Sequence, residues 1–306
     1  MQTIEKKDSI KFDPKIHIGR EIGNITLMSL LGQGAMGAVY IGFQKSLKRK
    51  VAVKIFPKAS PNNSTMRLRF RDEAETVAVL NHPNIVSVFD MGESQEYLYI
   101  IMQYIDGEDL RSFIHRHLLH PVPSKRLLPM QFCLQLIIQL LDALAYAHEE
   151  GVIHRDIKPA NIILENRNNR PYLADFGIAR SALSEDSKSN IVLGTPLYIS
   201  PEQVWNSHVD RRSDIYSTGI VLFELITGKL PLSKSTLDEV LKIKMYEPEN
   251  LFNRSPSEAS ALIDTELERI ILKSIAPVPD DRYPDCNAFH KDLSSYYERS
   301  FPDVKI

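Results

Sequence analysis

GVIHRDIKPANIIL, residues 151–164, places a group of polar side chains between two apolar runs. The polar residues are His154, Arg155, Asp156, Lys158 and Asn161. Val152 and Ile153 precede them, and an Ile-Ile-Leu run at 162–164 follows them. Burying so many polar groups is costly unless each has a partner. An acid, a base and an amide inside this strand-like stretch therefore require a chemical explanation.

Length and composition are those of an ordinary globular protein. The chain has 306 residues, of which 43% are hydrophobic and 25% charged, enough for one large domain or for two lobes with separate cores. The formal net charge is −2 and long blocks of like charge are absent from the sequence. We therefore expect no nucleic-acid partner.

Cysteine usage and hydropathy give expectations about the cellular setting. Cys133 and Cys286 are far apart and have no C-x-x-C partner, which favours structural thiols and a reduced, cytoplasmic location. The polar N-terminus is unlike a secretory signal. The apolar stretches around 132–145 and 219–226 are interrupted by polar residues, so we expect no membrane span.

Two parts of the chain differ in their hydrophobic pattern. Four stretches between 25 and 104 are typical of strands, and one helix is predicted within 64–80. After Gly107 the pattern predicts helices over 129–149, 201–206, 212–227, 236–246 and 264–275. Residues 117–129, with three prolines, are predicted to form a surface connection. The expected division is an N-terminal extension (1–24), a β-rich lobe (25–104), a mostly helical lobe (105–299) and a tail (300–306).

LGQGAMGAV, residues 31–39, has Gly32, Gly34 and Gly37 in G-x-G-x-x-G spacing. Glycines allow backbone N–H groups to approach a phosphate closely, but the pattern is weak alone and also fits a plain tight hairpin. A dinucleotide-binding fold needs the glycines to begin a helix. Here a second strand, AVYIGF, follows them, which argues against that fold.

VAVKIF, residues 51–56, places Lys54 in an alternating strand. Such a lysine usually points into water; the alternative is a cation held over phosphates by a carboxylate. Glu73 on the following predicted helix could supply that carboxylate, but Asp72 and Glu75 are equally placed by pattern alone.

Asp156 and Asn161 are five residues apart, and Asp175 follows an apolar strand in LADFG. Two carboxylates and an amide are oxygen ligands of the kind that Mg²⁺ accepts together with phosphates and water. The histidines at 115, 117 and 120 are better explained as loop residues than as a metal site.

The motifs LGQGAMGAVY, VAVK, HRDIKPAN, DFG and SPE occur in the order found in the eukaryotic-type protein kinases, and this resemblance covers residues 25–298. Stretches such as KPANIIL and YISPEQ are most similar to the bacterial serine/threonine kinases. The resemblance implies an α+β, bilobal protein kinase-like fold with a β-rich N-lobe and a mostly helical C-lobe. It also implies ATP and Mg²⁺ as cofactors and proteins with serine or threonine hydroxyls as substrates.

The resemblance implies four catalytic residues. Asp156 would accept or orient the substrate hydroxyl proton, and Lys158 would neutralise charge on the transferred phosphate. Asn161 and Asp175 would hold Mg²⁺. Lys54 would bind the α- and β-phosphates, with Glu73 as its ion partner.

The same resemblance implies a nucleotide site. Its glycine-rich loop comprises Leu31, Gly32, Gln33, Gly34, Ala35, Met36, Gly37, Ala38 and Val39. Val39 and Ala52 would cover the adenine and Ile163 would lie beneath it, although ordinary core packing would also explain these three. Backbone groups of Gln103 and Ile105 would meet the adenine edge, and Asp109 could reach the ribose.

Further residues are implied to act in support and regulation. His154 and Phe176 would stack with Val77 and Val88 in a hydrophobic column that links the lobes. Asp214 would support the catalytic loop, and Glu202 would pair with Arg282. Lys158 and Thr195 indicate serine/threonine specificity. Arg155 resembles an arginine that captures a phosphate, for which Ser181, Ser184, Ser187 and Ser189 are candidate carriers.

Two other classes of protein remain open from the sequence. A pseudokinase would bind nucleotide without catalysis, but every catalytic position is filled. A small-molecule phosphotransferase is disfavoured by GTPLYISPEQ, residues 194–203, which resembles a peptide-substrate platform. The chain is expected to serve in signalling, either alone or as the cytoplasmic part of a longer protein.

Overall fold

The computed structural model describes residues 14–34, 37–58, 70–71, 74–176, 197–205, 209–231, 236–247, 250 and 255–303. The chain divides into two compact units. The first contains the residues up to Ala74 together with Val88–Tyr104, and the second contains Glu75–Ser87 and the chain from Ile105 onward. Residues 75–87, which the expected division assigns to the β-rich lobe, thus pack within the second unit.

The first unit contains a six-stranded antiparallel sheet in the order β1-β2-β3-β4-β6-β5. Its strands are β1 (Glu21–Ile22), β2 (Ile25–Gly34), β3 (Gly37–Gln44), β4 (Arg49–Pro57), β5 (Val88–Glu93) and β6 (Tyr97–Gln103). A short 3₁₀ helix, Pro14–His17, precedes them. The four predicted strand regions are confirmed. The predicted helix within 64–80 is helical at 70–71 and 74–78, and the rest of it up to residue 73 lies outside the described residues.

Strand periodicity decides which residues of this sheet form its core. Val51, Val53 and Ile55 alternate along β4 and pack with residues of the neighbouring strands such as Tyr40 and Ile101. Successive side chains of a strand point to opposite faces. The residues between them on β4, including Lys54, therefore lie on the other face of the sheet.

The second unit is mostly helical, with one three-stranded antiparallel sheet. The helices are α1 (Leu110–Leu118), α2 (Met130–Glu149), α3 (Pro201–Val204), α4 (Arg212–Thr227), α5 (Leu237–Tyr246), α6 (Pro256–Ala259), α7 (Thr265–Ser274) and α8 (Cys286–Ser300). The strands are β7 (Gly107–Asp109), β8 (Ile162–Glu165) and β9 (Pro171–Leu173), in that order. Three 3₁₀ helices lie at Pro123–Lys125, Pro159–Asn161 and Pro279–Asp281. The five predicted helices are confirmed, with ends that shift by at most two residues.

Helices α1, α6 and α8 were not predicted. The prediction that His115 and His117 lie in a loop is wrong, because both belong to α1, whereas His120 follows its end. Among the described residues, no group of three or more His, Cys, Asp or Glu side chains is suited to hold a metal. Helix α1 buries Leu110, Phe113 and Ile114, an i, i+3, i+4 pattern that the intervening polar residues obscure in the sequence.

Helix α2 is the core helix of the second unit. The stretch 123–149 is the one described helical segment that is long and apolar enough to cross a membrane. Within the unit, Leu134, Ile137 and Leu141 are fully buried. A buried core helix meets the same criteria of length and hydropathy, and here its apolar residues pack against protein.

Both cysteines are buried free thiols, as expected for structural residues. Burial raises the pKa of Cys133 to about 12 and that of Cys286 well above its usual value. Neither thiol is therefore activated as a nucleophile.

Candidate active site

The loop between α2 and β8 is fixed by a buried carboxylate from the first turn of α4. Asp214 is 1% exposed, and its two oxygens accept hydrogen bonds from the backbone N–H groups of His154 and Arg155, each at 2.8 Å. His148 Nε2 lies 2.8 Å from Asp214 Oδ2. The predicted support of the loop by Asp214 is confirmed.

Asp214 remains ionised despite its burial. Burial alone would raise the pKa of this carboxyl, but hydrogen bonds and charge from His148 and the backbone N–H of His154 outweigh it and hold the pKa below its usual value. The support of the loop is therefore a charge-assisted one.

Three of the predicted catalytic residues meet on this loop. Lys158 Nζ lies 2.7 Å from Asp156 Oδ2. Asn161 Nδ2 donates to the same oxygen at 2.9 Å and to the Asp156 backbone carbonyl at 2.8 Å. The side chains of Asp156 and Lys158 are 17% and 19% exposed. The Asp156 carboxylate is thus oriented by two neighbours and still reachable by an incoming hydroxyl.

Asp175, the fourth predicted catalytic residue, follows β9 at a point joined to the loop. The Ala174 N–H donates to the Asn161 carbonyl at 2.9 Å, which brings the ends of β8 and β9 together. The Asn161 amide and the Asp175 carboxylate offer oxygen ligands. This chemistry fits Mg²⁺, whose coordination shell is usually completed by water and phosphate oxygens.

Two residues at this site have left-handed backbone conformations. Arg155 has φ of 63° and Asp175 has φ of 59°. Such conformations are uncommon for residues other than glycine and persist only where the surrounding structure holds them. Arg155 is held by hydrogen bonds from its N–H to Asp214 and to its carbonyl from Gln203. Ala174, just before Asp175, is held by Asn161 and His154.

His154 joins the loop to the segment after β9. Its ring is fully buried and contacts the Phe176 ring with 4.5 Å between centroids and 40° between the ring planes. The predicted contact between the two rings is confirmed, but they are tilted and not stacked. Burial lowers the pKa of His154, so the ring is neutral. Nε2 then donates to the Ala174 carbonyl at 3.1 Å, and Nδ1 accepts the Asp156 N–H at 3.3 Å.

The glycine-rich residues of the first unit form the hairpin of β2 and β3. Gly34 pairs with Gly37, while Ala35 and Met36 lie outside the described residues. A side chain added at Gly32 or Gly34 would meet nothing within 4 Å, whereas a Cβ at Gly37 would lie 2.0 Å from the Ile55 carbonyl oxygen. Gly32 and Gly34 therefore leave open space beside their backbone, as a phosphate-binding hairpin requires.

Three other predicted nucleotide-binding residues share one face of this sheet. Val39 pairs with Lys54, and Ala52 lies two residues from Lys54 on β4. All three are on the face opposite the core. Lys54 is half-buried, with Nζ 5.4 Å from the Phe56 ring centroid. Its predicted partner Glu73 lies outside the described residues.

The remaining nucleotide-binding predictions concern the strand ends. Gln103 pairs with Val51, so its side chain is on the core face and its backbone is the part available for recognition. In the second unit Ile163 is half-buried between the fully buried Ile162 and Leu164, and Ile105 is also half-buried.

Asp109 has a structural function that the sequence did not reveal. It is the N-cap of α1, accepting from the Ser112 N–H at 3.0 Å and from the Ser112 hydroxyl at 2.8 Å. Its contact with a ribose stays a prediction. The cap explains the residue type without any ligand.

Two residues near the loop were missed from the sequence. Gln203 Nε2 donates to the Arg155 carbonyl at 2.9 Å, and the fully buried Lys244 donates to the segment that precedes α3. Lys244 lies four residues after the buried Val240, so a charged residue at a core position of the helical period was the available signal.

Comparisons with known proteins agree with this geometry. A sequence model described as protein kinase domain matches residues 25–293. The chain is 37% identical over 287 residues to serine/threonine-protein kinase PknB of Mycolicibacterium smegmatis, covering 91% of this chain and 44% of that protein. It is 36% identical over 286 residues to serine/threonine-protein kinase PrkC of Bacillus subtilis, covering 92% of this chain and 42% of that protein.

The fold is similar to a crystal structure of the PknI kinase domain of Mycobacterium tuberculosis. The TM-score is 0.71 at 29% sequence identity, over 91% of this chain and 97% of that one. The expected bilobal α+β kinase fold is confirmed. The chain spans less than half the length of the two curated relatives named above.

Proposed function

Because this chain belongs to the protein kinase domain family, we propose that it transfers the γ-phosphoryl group of ATP to serine and threonine hydroxyls of proteins. One observation carries the proposal. The Asp156 carboxylate is oriented by Lys158 and Asn161 on a loop that the buried Asp214 holds in place. The curated relatives are named serine/threonine-protein kinases, which supports the choice of acceptor.

In the proposed reaction the protein positions groups and stabilises charge. Asp156 accepts or orients the proton of the acceptor hydroxyl. Lys158, 2.7 Å from Asp156, neutralises charge that develops on the transferred phosphate. Because Lys158 lies beside the carboxylate to which the acceptor hydroxyl would bind, its charge would be close to the reacting groups and would stabilise the transition state more than the bound substrate.

Members of the family use ATP and Mg²⁺. In this chain Asn161 and Asp175 would hold the metal, which when bound neutralises phosphate charge and orients the leaving group. The link between Ala174 and Asn161 supports this pairing, since it ties the two ligand-bearing segments together.

The nucleotide-binding part of the proposal takes up the residues that the family resemblance implies. In the first unit the open backbone at Gly32 and Gly34 suits phosphate oxygens, and Lys54 would bind the α- and β-phosphates. Val39 and Ala52, on the same sheet face as Lys54, would contact the adenine, as would Ile163 of the second unit. Backbone groups of Gln103 and Ile105 would recognise the edge of the base.

Autophosphorylation, a signalling role and a cytoplasmic setting belong to the proposal as well. The buried free thiols of Cys133 and Cys286 support a reducing compartment. Thr195, which the family resemblance associates with serine/threonine specificity, lies outside the described residues.

Incubation with Mg²⁺ and ATP labelled at the γ-phosphate, with and without dephosphorylated casein, tests the proposal. We expect label on casein from the intact chain and a loss of at least about 10²-fold with Asp156→Asn, because general-base and orienting roles are worth that much. Asp303→Asn, in the exposed turn at 302–303, is the matched control.

The alternatives give different results in the same assay. A pseudokinase would bind ATP without labelling any acceptor. A small-molecule phosphotransferase would consume ATP with a metabolite extract and leave casein unlabelled. Normal turnover by the Asp156→Asn variant would show that the assignment of Asp156 as the proton acceptor is wrong.

A further inference from the structure

Residues 197–200, just before α3, are irregular in conformation and yet mostly buried. Tyr198, Ile199 and Ser200 are at most 8% exposed, and none of the four residues is in a helix or strand. Buried backbone carbonyls need hydrogen-bond donors. The Ser200 carbonyl accepts from the N–H groups of Gln203 and Val204 in α3. The carbonyls of residues 197–199 lie outside any ladder or helix, so their donors must come from elsewhere in the unit.

Side chains of α4 and α5 donate to the three successive carbonyls of residues 197–199. Lys244 Nζ donates to the carbonyls of Leu197, at 2.8 Å, and of Ile199. The Ser217 hydroxyl donates to the carbonyl of Tyr198 between them, also at 2.8 Å. Three consecutive carbonyls are therefore held by two side chains. The conformation of 197–200 is set by these side chains, and Lys244 makes two of the three bonds.

The environment of Lys244 indicates why a lysine is buried there. The side chain is 0% exposed, and its Nζ lies 5.0 Å from the centroid of the Tyr216 ring. Burial lowers the pKa of Lys244 well below its usual value. Protonated or neutral, the amine retains at least two N–H groups for its two carbonyl acceptors. An apolar residue of similar size would fill the space but could not donate.

The segment held by Lys244 is joined in turn to the catalytic loop. The Ser200 N–H donates to Gln203 Oε1 at 3.2 Å, and Gln203 Nε2 donates to the carbonyl of Arg155 at 2.9 Å. Arg155 immediately precedes Asp156. Residues 197–200 belong to the stretch that resembles a peptide-substrate platform, and these two hydrogen bonds link them to the residue before Asp156.

We propose that Lys244 is a positioning residue for the protein substrate, acting by holding the carbonyls of Leu197 and Ile199 so that residues 197–200 present the acceptor chain to Asp156. The proposal rests on the proposed protein kinase function. It adds that this lysine governs the productive binding of protein acceptors and leaves the handling of ATP unchanged. A residue with that role changes KM for the protein with little change in kcat.

The test compares Lys244→Met with Lys242→Met in the full chain. Methionine keeps the length and apolar volume of the lysine stem and removes the donors. Lys242 is exposed on the same helix and is the matched control. We expect Lys244→Met to raise KM for dephosphorylated casein about tenfold while kcat and KM for ATP change less than about twofold. Lys242→Met should match the unaltered chain, and Lys244→Gln, which keeps an N–H₂ donor, should restore part of the casein affinity.

Amide hydrogen exchange gives a readout that is independent of turnover. In Lys244→Met, amides of 203–205 should exchange faster, because their helical turn follows directly on the released segment, while amides of α2 remain protected. Unchanged exchange, an unchanged KM for casein, or an equal loss for casein and ATP would each overturn the proposal. So would failure of both Lys244 variants to fold, since the lysine would then serve global stability. If the unaltered chain labels no protein, the proposed function fails instead, and the exchange experiment still decides whether Lys244 holds the segment.

Discussion

Arg282 and Glu202 form a buried, two-point ion pair in which Nη1 lies 2.7 Å from Oε1 and Nη2 lies 2.8 Å from Oε2. The remaining three N–H groups of the guanidinium donate to the backbone carbonyls of Arg212, Pro277 and Ala276. All five donors of the arginine are thereby satisfied. The pair joins α3, which follows the segment held by Lys244, to the turn before α8.

Removal of Arg282 should destabilise the protein strongly. Arg282→Met leaves the Glu202 carboxylate buried without its cation, which costs about 3–5 kcal/mol of unfolding free energy. Arg299→Met is the control, because Arg299 pairs with Glu266 at the surface and both side chains are about half exposed. There we expect a loss of at most about 1 kcal/mol. Urea unfolding measures the free energy of unfolding of both variants. Similar losses in the two variants would contradict the prediction that the buried pair contributes more than the exposed one.

The Arg282–Glu202 pair also predicts that the protein loses stability at acid pH. Burial alone would raise the pKa of Glu202, but the Arg282 hydrogen bonds and charge, with help from Ser213, outweigh it and hold the pKa below its usual value of 4.5. A carboxyl with a depressed folded-state pKa stabilises the protein above its unfolded-state pKa and loses this contribution as pH falls through the folded-state value. The stabilisation from Glu202 should therefore be complete at neutral pH and decline below pH 4.5.

Comparison with Glu202→Gln isolates this titration from that of other carboxyls. The difference in unfolding free energy between the two proteins should be largest near neutral pH and should narrow as pH falls below 4.5. Urea titrations at a series of pH values measure it. A difference that stays constant down to pH 2 would show that Glu202 has no depressed pKa.

Much of the fold and of the candidate site could be predicted because it depends on patterns within short stretches of sequence. The alternation in VAVKIF gave both the strand and the face on which Lys54 lies. The run HRDIKPAN, by its resemblance to a known family, gave Asp156, Lys158 and Asn161, which the structure brings within hydrogen-bond distance of one another.

The parts that could not be predicted depend on contacts between distant segments. Asp109 caps α1, but nothing in the sequence separates a cap from a ligand-binding carboxylate at that position. In LDEVLKIKMY the helical period separates Lys244, four residues after Val240, from Lys242, but only the packing of α5 against residues 197–199 shows what the buried lysine binds. Helix α8 was missed because Phe289 and Leu293 are interspersed with many polar residues.

Among the glycines of the β2–β3 hairpin, Gly37 should be needed for stability, and Gly32 and Gly34 for ATP binding. Gly37→Ala should cost about 1–3 kcal/mol of stability, since its Cβ would lie 2.0 Å from the Ile55 carbonyl oxygen and its φ is +155°. Gly32→Ala and Gly34→Ala face open space and should change stability by less than about 0.5 kcal/mol while raising KM for ATP. Thermal unfolding and ATP kinetics test the three variants. If Gly32→Ala and Gly34→Ala both leave KM for ATP unchanged, this hairpin does not bind the phosphates.

The position of Arg155 indicates that the chain phosphorylates itself. Its backbone is fixed on both sides, by Asp214 at the N–H and Gln203 at the carbonyl, and the residue is exposed. A fixed arginine next to Asp156 could bind a phosphate and order the site. The candidate carriers Ser181, Ser184, Ser187 and Ser189 lie outside the described residues; we favour Ser187 and Ser189, which are furthest from DFG. Intact-mass and peptide mass spectrometry of active protein, beside Asp156→Asn, should find phosphate within 181–189 in the active form alone. Active protein without phosphate there would contradict this role for Arg155.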